Sequence, residues 1–494
     1  MKRLLLLILL ALAFAGIHVA SAQPYVNNAT APTDPAHRPL PASERGVLLE
    51  QKYVDSKMYP GTSRTIKVFV PKAYDGKTPA CLFLCADGIR YNADVVIDNL
   101  IRTGELPMMI GVFVEPGSIM DADGKPLRYN RSNEFDRCDG KWASFLETEI
   151  LPLVEGMKTP DGRPVLISKD PNDRMIAGNS SGGIAAFTAA WNRPDLFSRV
   201  FTSVGTYVAM RGGNEYPALV RKTEPKPLRI FLQDGMNDAW NPLFGSWWEQ
   251  NQLMESALDF AGYELNFKWG RGKHSGMDAT LVFPDAMRWM WKDYPARVKK
   301  GKSLNNMLTE ILDPDTDWEL LRENVPSDAV LAAYSDDAVL LSSGKKAVAV
   351  DAMGTESKAS ARKGGDPLEA VFPGGRILAR SVKGGNWIWQ YVKDADGAWN
   401  YGEEFYWIHG EPGQIAFDTD GLLYVATATG VQVCDHNGRV RAILSLPSGK
   451  IDSLAFAGRA LFVLSGGSLY VRLLKHRGFL DAAAVPMPKS QGRG

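Results

Sequence analysis

Residues 174–191 read RMIAGNSSGGIAAFTAAW. The segment opens on a short apolar run, Met175 to Ala177, passes through Gly178-Asn179-Ser180-Ser181-Gly182 and continues as an alanine-rich stretch from about Gly183. Its middle fits G-x-S-x-G, a nucleophile elbow in which the serine sits on a strained strand-to-helix turn. A side chain two residues either side of that serine would collide with the neighbouring strand or helix, hence the glycines. The turn lifts the Ser180 hydroxyl clear of a sheet and sets it at the electropositive start of a helix. The Ser181 N–H then faces the place where an oxyanion would develop. Glycine is common here, 47 of 494 residues, so the pattern alone is weak; its force comes from being the only match, between an apolar and a helical run.

An elbow serine is inert without a base to take its proton, most often histidine. Of six histidines, His18 lies in the N-terminal apolar segment, His37 in the Pro-rich stretch after it, and His409, His436 and His476 in the C-terminal third. His274, in RGKHSG, follows the last strand expected of the domain that carries Ser180. The orienting carboxylate should follow a strand between serine and histidine. The strand LRIFLQ ends in Asp234-Gly235-Met236-Asn237-Asp238, and either aspartate could serve. Asp238 is preferred, because Asp234 sits at the strand end, where it more naturally braces the turn. The second oxyanion donor should come from the loop Ala86-Asp87-Gly88-Ile89-Arg90, through the N–H of Gly88 or Ile89.

Around these residues, 46–298 alternates strands and helices. Strands are expected at 64–70, 80–86, 108–114, 199–204, 228–233 and 264–268, with helices at 93–102, 141–154, 247–261 and 285–293. That pattern predicts a doubly wound, mostly parallel sheet. Residues 23–45 read as a flexible leader and 299–345 as a linker or irregular stretch. From 346 to 494 short strands alternate with glycine turns. KDADGAW at 393–399 and DTDGLLYVATATGVQVCDHNGRV at 418–440 have the texture of propeller blades, with room for about four at 40–45 residues each.

Composition bounds the partners. Fifty-six basic and 56 acidic residues cancel, so no electrostatic case exists for nucleic acid or an anionic membrane. Lys2 and Arg3, an apolar run from Leu4 to Gly16 and Ala20-Ser21-Ala22 read as a signal peptide cleaved after Ala22, giving a secreted or periplasmic protein with no membrane span thereafter. Cys81 and Cys85 lie about 13 Å apart on one strand, too far to bridge. A bond from either to Cys138 is left open, and Cys434 reads as a free buried thiol. No cofactor or metal set is read.

Three groups of phrases carry a family resemblance: KMYPGTSRTIKVFVPKAYDG (57–76) with MMIGVFVEPGS (108–118), GNSSGGIAAFTAAWNRPDLFSRVFTSVGTY (178–207), and FLQDGMNDAW (231–240) with GKHSG (272–276). Residues 46–298 resemble the esterase D-like superfamily, in its enterochelin-esterase-like branch close to carbohydrate esterase family 1, the feruloyl and acetylxylan esterases. The resemblance implies an α/β-hydrolase fold, with Ser180 as nucleophile, Asp238 as acid and His274 as base. It further implies an oxyanion hole of backbone at Ser181 and Ile89. The loop CADGIRY (85–91) departs from the QDG or HG phrase of many relatives. The C-terminal region resembles a fragment of the gluconolactonase propellers, too short to be a whole one.

Trp240, Trp247 and Arg211 are candidate substrate contacts: the aromatics for a sugar or phenolic ring, the arginine for a carboxylate or hydroxyl. Packing for the tryptophans and an ion pair for Arg211 are the alternatives. The expectation is an exported serine esterase, without cofactor, acting on small-molecule or polysaccharide esters, feruloyl or acetyl esters by preference. The rival readings are a siderophore esterase, a non-catalytic carbohydrate-binding protein, and a lactonase acting through the C-terminal domain. An incomplete propeller leaves strand edges to be covered by the hydrolase domain or by a second copy of the chain, so self-association is a further expectation.

Overall fold

The computed structural model describes residues 33–314, 316–359, 366–446 and 450–480; the expected signal peptide lies outside them. An eight-stranded sheet organises the first domain. Its strands are β1 Val47–Tyr53, β2 Arg64–Val70, β3 Cys81–Ala86, β4 Met109–Val114, β5 Arg174–Asn179, β6 Arg199–Ser203, β7 Arg229–Asn237 and β8 Glu264–Lys273. Their order is β1-β2-β4-β3-β5-β6-β7-β8, with β2 antiparallel to β1 and β4 and every other pairing parallel. β3 and β4 are buried along their whole length, which is why they read as unbroken apolar runs rather than alternating ones.

The sheet is covered on both faces. Leu82 and Leu84 of β3 pack with a helical run over 141–155 and with the alanine-rich helix Ser181–Asn192. Phe83 and Cys85 point the other way, against helices Ala93–Arg102 and Met277–Met290. The 141–155 run contains a π turn at Leu146–Ile150, and the last helix begins at Met277, well before the expected 285. Residues within the expected leader are docked rather than loose: Asn99 Nδ2 donates to the carbonyls of Ala36 and Arg38 at 2.9 and 2.8 Å, and Asp34 pairs with Arg288.

In the C-terminal region the described residues form four sheets of four antiparallel strands in a propeller-like ring, matching the roughly four blades that the spacing allowed. Three sheets are consecutive, over 330–358, 369–407 and 415–444; the fourth joins 453–473 to the strand Glu319–Arg322. The stretch 299–345 therefore supplies ring strands at Glu319–Arg322, Val330–Ala333 and Ala338–Ser343 instead of a linker. The innermost strands of all four sheets line one cavity of about 520 Å³, which Phe479 and Leu480 also line. All four cysteines are free.

The edge strand Val440–Leu444 is met by the first domain: Thr223 bridges to Ile443, and Glu224 N–H donates to the Ile443 carbonyl at 2.9 Å. Beside it, Arg472 of the ring holds Glu224 through two hydrogen bonds of 2.7 and 3.0 Å, with only 3% and 9% of these side chains exposed. Removing one member of a buried pair strands the other charge. Arg472→Ala is therefore expected to cost about 3 kcal/mol, read as a lowered urea midpoint. The doubly apolar Arg472→Met/Glu224→Met protein should recover most of that loss.

Candidate active site

β5 ends at Asn179, and Ser180 then turns the chain with φ +59° and ψ −121° before the helix starts at Ser181. A serine in the left-handed region costs about 1–3 kcal/mol and persists only when its surroundings over-determine it. Here they do. Ser180 N–H donates to Ser203 O at 2.9 Å, and the Ser180 carbonyl accepts from Gly183 and Thr206 N–H at 2.9 and 3.2 Å. Gly178 is required by close approach, since a Cβ there would lie 2.0 Å from the Gly182 carbonyl oxygen.

The structure brings Ser180, His274 and Asp238 together. Ser180 Oγ lies 2.8 Å from His274 Nε2, and His274 Nδ1 lies 2.5 Å from Asp238 Oδ1. Each partner leaves the C-terminal end of a strand, Asp238 just after β7 and His274 just after β8, the edge onto which the elbow also opens. The Asp238 side chain is fully buried and that of His274 is 31% exposed, so the imidazole has one side to solvent and one to a fixed anion. Trp247 is buried, contrary to a substrate-contact role. Its ring meets the His274 ring edge-on at 5.5 Å and its Nε1 donates to Thr206 Oγ1, which stands 3.4 Å from Ser180 Oγ.

Asp234, the alternative carboxylate, is fully buried behind Asp238, with Oδ1 accepting the Gly235 N–H at 2.6 Å. Burial first, and then its hydrogen bond to Asp238 and that neighbour's charge, push its carboxyl well above the usual range. It makes no hydrogen bond to His274.

The loop after β3 departs in part from expectation. Gly88 N–H donates to Val114 O at 3.3 Å, so it is committed to the sheet and is not an oxyanion donor. Ile89 remains, lining a depression of about 410 Å³ with Arg90, Asn179 and Met277 beside the elbow; larger cavities lie elsewhere in the molecule. The loop is clamped by a residue the sequence did not single out. Arg131 donates to both oxygens of Asp87 at 2.7 and 2.5 Å and reaches the Asn179 carbonyl at 3.5 Å. No local spacing links positions 44 apart; the signal was Asp87 itself, an acid turned inward beside the elbow.

Trp240 is 71% exposed on the hairpin that follows Asp238, near the exposed Met236 and Leu243. Arg211 is exposed, with φ +49°, and donates to Ser132 Oγ at 3.2 Å. Among the described residues, the group able to hold a metal is Asp418, Asp420 and His476, in the ring. Its central acid is already saturated. Asp418 Oδ1 takes the N–H groups of Asp420 and Leu422, and Oδ2 takes the Tyr424 hydroxyl and His476 Nδ1.

With this geometry in view, residues 57–300 match the model of a family described as "Putative esterase". This segment belongs to that esterase family. A curated relative, the iron(III) enterobactin esterase of Dickeya dadantii (strain 3937), is 25% identical over 231 residues, 43% of this chain and 47% of that one. The chain thus spans about half the length of the curated relative it matches. Among solved structures, the enterobactin esterase of Shigella flexneri shares 20% identity with a TM-score of 0.40, over 53% of this chain and 63% of the other. A ferulic acid esterase shares 18% with a TM-score of 0.38, over 50% and 98%.

The raised Asp234 carboxyl has a consequence for the esterase domain that can be measured. A group held protonated in the fold stabilises below its unfolded value and loses that contribution as pH rises through its folded one. Asp234→Asn should therefore match the wild type near pH 4 and become progressively more stable than it toward pH 8 in urea titrations. A pH-independent difference would show that Asp234 is ionised in the fold.

Proposed function

We propose that the protein is a serine carboxylic ester hydrolase. The observation that carries this reading is the unbroken Ser180–His274–Asp238 hydrogen-bond chain at a helix start. Ser180 Oγ attacks the ester carbonyl carbon as its proton passes to His274 Nε2. Asp238 keeps the Nδ1–H in place and stabilises the imidazolium that forms. The carbonyl oxygen, now negative, is received by the N–H of Ser181 and that of Ile89. Ser181 is the first residue of its helix, so its N–H has no partner within it. The C–O bond to the alcohol then breaks, and the departing oxygen takes the proton from His274. Water, deprotonated by His274, attacks the acyl-enzyme and releases the acid and free Ser180.

For substrate we favour feruloyl or acetyl esters on polysaccharide. The exposed apolar side chains Met236, Trp240 and Leu243, close in sequence to Asp238, and Met277, close to His274, support this, since an aromatic acyl group can lie against such side chains. Export, read from residues 1–22, would place the enzyme where such polymers are found. A siderophore ester is the second reading, supported by the enterobactin esterase relative and by the exposed cation Arg90 in the depression beside the elbow.

Turnover of p-nitrophenyl acetate, methyl ferulate and a catechoyl-serine ester tests both. Ser180→Ala should abolish hydrolysis of all three, and Asp238→Asn should lower kcat by about 10⁴-fold, the effect of leaving the imidazole in the wrong tautomer. Preference for methyl ferulate supports the first substrate reading and preference for the catechoyl ester the second. Turnover that survives Ser180→Ala would sink the mechanism.

A further inference from the structure

The second sheet of the ring is unlike its neighbours. Its two outer strands, Trp387–Lys393 and Trp399–Trp407, carry four of the chain's 13 tryptophans within 21 residues. In the third sheet the strands Leu423–Thr427 and Gly430–Cys434 carry no tryptophan and are fully buried. In the second, one face is covered: Ala379, Ile388 and Tyr406 pack with Ile415 and Phe417 of the third sheet. The other face bears Trp387, Trp389 and Tyr391 at alternate positions, which side-chain alternation puts on one side. Trp407 stands opposite Trp387, Glu404 opposite Trp389 and Trp399 opposite Lys393. Every aromatic ring of this set keeps solvent exposure.

The face is built, not merely uncovered. Trp389 and Tyr391 lie with ring centroids 6.3 Å apart and planes within 26° of parallel. Gly402 lies against the Tyr391 ring: a Cβ there would approach it to 2.5 Å, so the ring rests on bare backbone. Charged groups sit among the rings and offset one another. Arg380 lies over Tyr391 while paired to Glu369, and Lys393 lies over Trp399. Glu404 adds a negative charge directly across from Trp389.

We infer that this face is a binding platform for a neutral polysaccharide. Near-parallel aromatic rings at strand spacing present flat apolar surfaces on which the C–H faces of successive sugars can lie. Carboxylate and guanidinium groups among the rings are placed to bond hydroxyls. Charge argues for the occupant. A single-stranded nucleic acid also stacks on aromatics but needs a basic groove; here the arginine is matched by Glu369, and Glu404 would repel phosphate. The inference is independent of the esterase reading, since it invokes no residue of the Ser180 site.

The test is affinity gel electrophoresis of the full chain, as wild type and Ser180→Ala, in gels containing arabinoxylan, a mixed-linkage β-glucan, polygalacturonate or single-stranded DNA. Retardation by a neutral polymer, equal in wild type and Ser180→Ala, is expected. Trp389→Ala should weaken it at least tenfold and Trp389→Phe, which keeps a ring, much less, with far-ultraviolet circular dichroism establishing that both fold. No retardation by either neutral polymer, retardation only by polygalacturonate or DNA, or equal retardation of Trp389→Ala would overturn the inference. So would wild-type self-association that Trp389→Ala abolishes without neutral-glycan binding, since a second copy would then cover the face. Loss of ester hydrolysis in Ser180→Ala with retained binding keeps the two readings separable.

Discussion

The backbone of Ser180 holds this molecule's chemistry in place. A serine at φ +59° leaves that region unless every neighbour resists, and the resistance is distributed over the sheet. Ser203 receives its N–H from the end of β6, and Thr206 donates to its carbonyl from the next turn. β5 and β6 run parallel with Asn179 opposite Ser203, so the elbow is fixed by the same register that fixes the core. A one-residue slip between these strands would carry side chains to the opposite, equally packed face and remove the acceptor of the Ser180 N–H.

From that point the site is assembled from strand ends. β7 and β8 run side by side, with Asn237 opposite Lys273, so the residues that follow, Asp238 and His274, emerge next to one another. This explains why a carboxylate and an imidazole 36 positions apart meet at 2.5 Å. The sheet sets the geometry and the side chains around it set the electrostatics. Asp238 is kept from water, Asp234 behind it is pushed toward its neutral form, and Trp247 closes one side of the imidazole.

What the residues disclosed follows from how local each constraint is. The elbow was legible because close approach at Gly178 leaves a mark in the sequence, and β3 and β4 because burial on both faces does the same. Asp238 was preferred over Asp234 on its place in the turn, and the structure gives the reason in full: Asp234 still lies within β7, whereas Asp238 lies beyond its end, within reach of His274. The Asp87–Arg131 clamp and the commitment of the Gly88 N–H to Val114 depend on partners far along the chain, about which periodicity is silent. The stretch 299–345 misled for the same reason. Glu319–Arg322 is short and half charged, and nothing near it announces that its partner is Ser468–Leu473. Trp247 shows the converse: its position beside the acid loop was correct, but burial changes its part from contact to support.

That fourth sheet has a consequence for the order in which the chain acquires structure. Three of its strands come from 453–473 and one from Glu319–Arg322, so Leu320 meets Tyr470 only after almost the whole ring has been made. The first domain pairs most of its strands across much shorter stretches and can assemble while the rest is still being synthesised. The ring cannot, because joining its ends carries the loop-closure entropy of three intervening sheets, and no smaller set of strands completes the circle. Completion of this third of the molecule is therefore a late, cooperative event.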